Sequence, residues 1–196
     1  MTLVTITDLN QWQFVFPNIL ALENMKRKYE FYVFGKNRHT TDLINFNLSN
    51  TKIKYGNIKV DVLPSFFSVF GIQETETNHS WITATTLDRF VLPIATNIGK
   101  FIWVDTDTLI ISEDIFKIFK EDTSEKGIAA VACDTLLHDH IIHFSRAAFL
   151  LDIAKGNSST FNAGVTLIDP EKFRKNKYED LIKEVFERSG GAYVND

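Results

Sequence analysis

Four consecutive apolar residues, Phe101-Ile102-Trp103-Val104, run straight into Asp105-Thr106-Asp107. An apolar run without polar alternation reads as a strand buried on both faces, the kind found in the middle of parallel sheets. Such a strand needs helices on both sides of the sheet. The rest of the chain supplies that alternation. Leu3–Thr7, Tyr29–Phe34, Lys59–Leu63, Ile128–Cys133 and Phe161–Ile168 read as strands, and Thr51–Tyr55 as a further short one. Thr108–Ile111 is another short apolar run. Trp12–Lys28, Thr41–Phe46, Ile82–Ala95, Ile115–Lys120, Ile141–Ala154, Glu171–Lys175 and Tyr178–Arg188 carry helical spacing or composition. Pro64–Gly71 is ambiguous, and Gln73–Ser80 reads as a loop. The fold class is α/β with a largely parallel sheet, in a single domain of 196 residues that is a candidate fragment of a longer chain.

Composition removes several function classes. The net charge is −4, opposite to the basic footprint of a nucleic-acid binder. No stretch has the roughly 18 apolar residues of a membrane span. The first residues, Met1 to Thr7, lack the basic and apolar regions of a signal peptide. One cysteine, Cys133, excludes a disulfide scaffold and fits a reducing compartment. The expected location is the cytoplasm.

Two segments carry chemistry. Asp105 and Asp107 sit just past the end of a buried strand, the edge at which open α/β sheets bind ligands. Two close carboxylates repel one another, and a cation relieves that repulsion. Hard divalent ions take such oxygens, often with substrate phosphates completing the shell. The alternative is a solvated surface turn. In Phe161-Asn162-Ala163-Gly164, Ala163 and Gly164 let backbone approach a ligand closely, and Asn162 offers a donor and an acceptor. A tight strand entry is the plain alternative there. Trp103 reads as a packing residue. His138, His140 and His143 lack a zinc-type surround and read as a surface or acceptor-side cluster.

In order along the chain, these segments resemble the family 8-type glycosyltransferases, the group of bacterial lipopolysaccharide galactosyltransferases and glycogenin. Val4 to Asn10 resembles the family's first strand and nucleotide loop. Thr85-Thr86-Leu87-Asp88-Arg89-Phe90 resembles its arginine-bearing helix. Lys100 to Ile110 resembles its D-x-D segment, Ala130 to Asp134 a strand ending in a sugar-site aspartate, and Phe161 to Ile168 the F-N-A-G strand. Asp196 falls where the family begins a D-Q-D segment.

The resemblance implies a GT-A fold, with a Rossmann-like nucleotide half and an acceptor half sharing one mainly parallel sheet. It implies a UDP-sugar donor, a glycan or other hydroxyl acceptor, and retention at the anomeric carbon. On it, Asp8 accepts from the uracil imide with Ile6 and Thr7 nearby, and Asn10 reaches the ribose. Arg89 contacts donor sugar or phosphate. Asp105 and Asp107 hold Mn²⁺ or Mg²⁺, with Thr106 between them in the same donor-binding segment. Asn162, Ala163 and Gly164 line the sugar, while Asp134 and Asp196 face its hydroxyls or anomeric centre. An inverting reaction would instead draw a base from Asp134, Asp139, His138 or Asp196.

The chain departs from the family pattern in two places. Leu9 stands where the family has a second N-terminal aspartate. The family also carries a C-terminal H-x-x-G-x-x-K-P-W-like segment whose histidine completes the metal shell. This sequence ends before it, which leaves the third protein metal ligand and part of the diphosphate clamp unassigned, and further domains of the same polypeptide are expected partners. Two rival readings remain. Val104 to Leu109 also resembles the first motif of haloacid-dehalogenase-type phosphatases, although the glycine of D-x-D-G-T is absent. A non-catalytic nucleotide-sugar or glycan-binding domain is the other.

Overall fold

The structure is a computed structural model, and it describes residues 1–72, 87–136 and 159–188. Six strands form one sheet: β1 (Thr2–Thr7), β2 (Tyr29–Gly35), β3 (Gly56–Val62), β4 (Phe101–Val104), β5 (Ile128–Leu136) and β6 (Ser159–Ile168). Their order is β3-β2-β1-β4-β6-β5. The first four strands run parallel, whereas β6 is antiparallel to both β4 and β5. The sheet is therefore mixed and mainly parallel. The chain moves outward from β1 to β3, then returns to the other side of β1 at β4. That reversal opens a crevice at the carboxyl ends of β1 and β4.

Side chains alternate across β4, as a strand requires. Phe101 and Trp103 pack on one face with Val4, Ile6, Phe66, Phe70 and Leu92. Ile102 and Val104 pack on the other with Leu3, Val15, Ile19, Leu22 and Phe31. All four β4 residues are buried, which confirms the reading of this run as a central strand. Truncating a fully buried phenylalanine such as Phe101 costs about 3–5 kcal/mol.

Seven helices are described: α1 (Val15–Asn24), α2 (Arg38–Leu48), α3 (Phe66–Phe70), α4 (Leu92–Ala95), α5 (Ile115–Ile118), α6 (Pro170–Lys175) and α7 (Tyr178–Arg188). Their starts follow local chemistry. Asn37 accepts from the Thr40 N–H, Ser65 from Ser68, and Asp169 from Glu171 and Lys172, each at a helix N-terminus. Gly71, at φ +65°, ends α3. The long helix expected over Trp12–Lys28 is shorter, with a 3₁₀ turn at Trp12–Phe14 followed by α1.

Thr51–Tyr55 is not a strand. The Glu23 carboxylate takes the backbone N–H groups of Lys54, Tyr55 and Gly56 at 2.7–3.1 Å, which a ladder partner would otherwise need. Thr108–Ile111 is also irregular, held from the side by Asn18. Ambiguous Pro64–Gly71 contains α3. The loop expected at Gln73–Ser80, residues 82–86 of the Ile82–Ala95 helix, and the Ile141–Ala154 helix lie outside the described residues.

Candidate functional site

The crevice is built from the segments that follow β1 and β4. At the end of β1, Asp8 turns the chain. Its Oδ1 accepts the N–H groups of Asn10 at 2.8 Å and Gln11 at 3.1 Å, and its carbonyl accepts from Trp12 at 3.0 Å. These bonds commit one carboxylate oxygen and start the 3₁₀ turn before α1. Asn10 is exposed beside it. Thr7 is fully buried, so its contribution to the crevice is through backbone.

At the end of β4, the Asp105 N–H donates to the Gly164 carbonyl at 2.8 Å and Thr108 N–H returns to the Asp105 carbonyl at 2.9 Å. The aspartate turn is thus closed on itself and tied to β6. Thr106 is buried, and its hydroxyl donates to the Ile6 carbonyl at 2.6 Å. The Thr5 hydroxyl lies 3.2 Å from the Thr106 hydroxyl oxygen. With the Thr106 proton on Ile6, Thr5 is the donor of that second bond. The Thr106 side chain is therefore occupied within the protein.

Asn18 completes the support. It projects from α1 with 3% exposure. Its Nδ2 donates to the Thr108 carbonyl at 2.7 Å and its Oδ1 accepts the Ile110 N–H at 2.8 Å. Asn18 is a supporting residue that no sequence motif marks. Its signal is its place in the helix: it sits among Val15, Ile19 and Leu22, the buried stripe, and a polar residue on such a stripe needs a specific partner.

Arg89 opens a 3₁₀ turn, Arg89–Val91, that leads into α4. Its Nη2 stands 3.6 Å from Asp105 Oδ1, and its Nη1 donates to the Ala163 carbonyl at 3.4 Å. Burial pulls its pKa down, and the Asp105 charge opposes the shift. An arginine keeps its proton under such conditions. Asp88, 3% exposed, accepts the Phe66 N–H at 2.7 Å and lies 3.9 Å from Lys36. It anchors the turn carrying Arg89 to α3 and to the end of β2.

Trp103 is buried, as the packing expectation has it, but its Nε1–H also donates to Asp105 Oδ1 at 2.8 Å. Asp107 is exposed. The site thus brings together Ile6, Arg89, Asp105, Thr106, Ala163 and Gly164, with Asp8 at the neighbouring strand end. Asn162 and Asp134 lie on β6 and β5, with their side chains outside the described part. Asp196 and His138, His140 and His143 lie outside the described residues.

A divalent cation fits this donor set. Asp105 keeps Oδ2, Asp107 is open to solvent, and both are hard oxygen donors of the kind Mn²⁺ and Mg²⁺ take together with phosphate and water. Among the described residues, no group of three His, Cys, Asp or Glu side chains forms a complete protein cage.

The sequence profile described as Glycosyl transferase family 8 matches residues 15–192. No curated protein sequence matches the chain significantly. Among solved structures, galactosyltransferase LgtC in complex with donor and acceptor sugar analogues superposes with a TM-score of 0.70 at 21% identity, covering 98% of this chain and 66% of that one. An active-site mutant of LgtC gives a TM-score of 0.70 at 20% identity, covering 96% and 64%. Mouse xyloside xylosyltransferase 1 in its apo form gives 0.60 at 11% identity, covering 98% and 76%. At these identities the likeness establishes the GT-A fold. The chain spans about two thirds of the length of the LgtC chains.

Proposed function

The chain belongs to glycosyl transferase family 8, and on that premise we propose that it transfers a sugar from a UDP-sugar to a glycan or other hydroxyl acceptor with retention. The observation that carries the reading is the position of the Asp105–Asp107 turn. It stands at the sheet's switch point, beside the Asp8 turn and against Arg89 and Gly164.

Each residue then has a task. Asp8 Oδ2 accepts the uracil imide N–H, since Oδ1 already holds its own turn. Asn10 reaches the ribose. Asp105 and Asp107 hold Mn²⁺ or Mg²⁺. When bound, such an ion supplies Lewis-acid stabilisation of the charge left on the departing diphosphate. Arg89 adds a fixed positive charge on the same side. Its partly desolvated position strengthens that contribution, because Coulomb interactions grow as the local dielectric falls. Asn162, Ala163 and Gly164 line the sugar, and Asp134 and Asp196 face its hydroxyls or anomeric centre.

Nucleic acid is not a partner on this reading. No helix among the described residues is long and apolar enough to cross a membrane. The single cysteine, Cys133, supports a reducing compartment, the cytoplasm. Family membership weighs against phosphate-ester hydrolysis at Asp105.

The test is calorimetry of UDP, CDP and a panel of UDP-sugars with and without Mn²⁺, followed by assays of transfer and donor hydrolysis. The expected result is metal-dependent UDP binding and turnover of one donor. Equal affinity for UDP with Mn²⁺ and with chelator overturns the metal-bridged reading. Equal affinity for CDP and UDP removes the role of Asp8, since cytosine carries no ring N–H at the imide position. Metal-dependent binding with neither hydrolysis nor transfer favours a non-catalytic nucleotide-sugar domain.

A further inference from the structure

Trp103 precedes Asp105 by two residues along one extended segment, so the two side chains leave the same face. The indole is 4% exposed, and a buried indole needs an acceptor for its N–H. Here that acceptor is Asp105 Oδ1, at 2.8 Å. The Arg89 guanidinium lies over the same ring, with Cζ 5.3 Å from the ring centroid, and its Nη2 approaches the same Oδ1 at 3.6 Å. The indole N–H and the guanidinium charge converge on one oxygen of one carboxylate. The terminal torsion of an aspartate is otherwise broad and roughly two-fold, so this convergence selects one setting. The Asp105 side chain is still 31% exposed, and its second oxygen is left for other ligands.

Packing alone does not call for this arrangement. A phenylalanine would fill the β4 position against Val4, Phe66 and Phe101 without offering a donor. We propose that Trp103 is a positioning residue, whose indole N–H holds Oδ1 of Asp105 and thereby presents Oδ2 to the divalent cation of the reaction. The proposal rests on the metal-bridged reading given above. Losing a group that orients a metal ligand through its other atom typically costs 10–100-fold in metal affinity.

The decisive replacement is 3-benzothienylalanine at position 103, which has the shape of tryptophan with sulfur in place of the ring N–H. Trp103→Phe is the second variant. Free Mn²⁺ is followed by electron paramagnetic resonance during titration in the presence of UDP, and metal-free UDP binding by calorimetry. Thermal melting identifies the folded proteins. The expected result is about a 10-fold or greater weakening of Mn²⁺ binding, with metal-free UDP affinity unchanged. A folded variant that binds Mn²⁺ as tightly as the wild type overturns the role of Trp103 alone. A wild type that takes up no Mn²⁺ with UDP overturns the metal-bridged reading and this proposal with it. Failure of both variants to fold also overturns the proposal, because the N–H would then be a requirement of folding.

Discussion

The Thr106 hydroxyl donates to the Ile6 carbonyl at 2.6 Å, joining the end of β1 to the aspartate turn after β4. The middle residue of the D-x-D segment thus fixes the segment, and the two aspartates flanking it are held at the crevice. Thr106→Val keeps the shape and removes the donor. It leaves a buried carbonyl and the Thr5 hydroxyl short of a partner, each a group whose orphaning costs about 1–3 kcal/mol. A chain of this size then loses roughly 2–4 °C of melting temperature per kcal/mol. Differential scanning calorimetry measures it, and an unchanged melting temperature would show that the bond contributes nothing.

Asn18 makes the corresponding prediction from the helix side. Asn18→Leu fills the site but leaves the Thr108 carbonyl and Ile110 N–H unpaired. Urea unfolding should show a loss of about 2–4 kcal/mol. Donor binding should weaken as well, because the segment beyond Asp107 loses its anchor. Stability loss with full donor affinity would make Asn18 a purely structural residue.

The legible and illegible parts of this site differ in physical kind. Phe101–Val104 announced a central strand because burial on both faces leaves no polar alternation. The aspartates were visible because two close carboxylates directly after such a strand stand at the edge where open α/β sheets bind ligands. Thr106, Asn18 and Trp103 were not assigned their tasks, since each depends on a partner distant in sequence or on the pitch of the turn. The Thr106–Ile6 bond spans 100 positions and the Asn18–Thr108 bond 90. Thr51–Tyr55 departs from the strand expectation for the same reason. Its composition suits a strand, but Glu23, some thirty residues earlier, takes the N–H groups of Lys54 and Tyr55.

The two aspartates should separate stability from activity. Asp107 is exposed, so Asp107→Ala should stay within about 0.5 kcal/mol of the wild type while transfer falls roughly 10²–10³-fold. Asp105→Ala removes the counter-charge of partly buried Arg89 and the acceptor of Trp103. It should lower both activity and melting temperature. Unfolding of the Asp107 variant would make that residue structural.

Glu23 predicts an acid-sensitive term remote from the crevice. Burial raises its pKa, but the N–H groups of Lys54, Tyr55 and Gly56 and the Tyr29 hydroxyl outweigh burial, leaving it below its ordinary value of 4.5. The folded state therefore favours the charged form. Its stabilisation is fully present above the unfolded pKa and is lost as pH falls through the folded one. In urea unfolding between pH 7 and pH 3, the stability advantage of the wild type over Glu23→Gln should shrink on acidification below about pH 4.5. A constant difference across that range would remove this role.

The last prediction concerns the order in which the proposed cation and nucleotide stabilise one another. Asp105 Oδ1 is engaged by Trp103 and Arg89, which leaves Asp105 Oδ2 and the Asp107 carboxylate as the available oxygens at the turn. Among the described residues, no third acidic, histidine or cysteine side chain completes a cage with them. The positive charge of Arg89, close to Oδ1, further weakens attraction of the pair for an ion. Mn²⁺ alone should therefore bind weakly. Diphosphate oxygens supply additional ligands and added negative charge, so Mn²⁺ should bind more tightly once UDP is present. Linkage requires UDP to gain affinity from Mn²⁺ by the same factor. Two titrations check this, Mn²⁺ into protein with and without UDP, and UDP into protein with and without Mn²⁺. Equal enhancement factors, after correction for the Mn²⁺–UDP complex formed in solution, are the expected result. Tight stoichiometric Mn²⁺ binding without nucleotide would mean that the protein provides a complete cage, with a third ligand beyond Asp105 and Asp107.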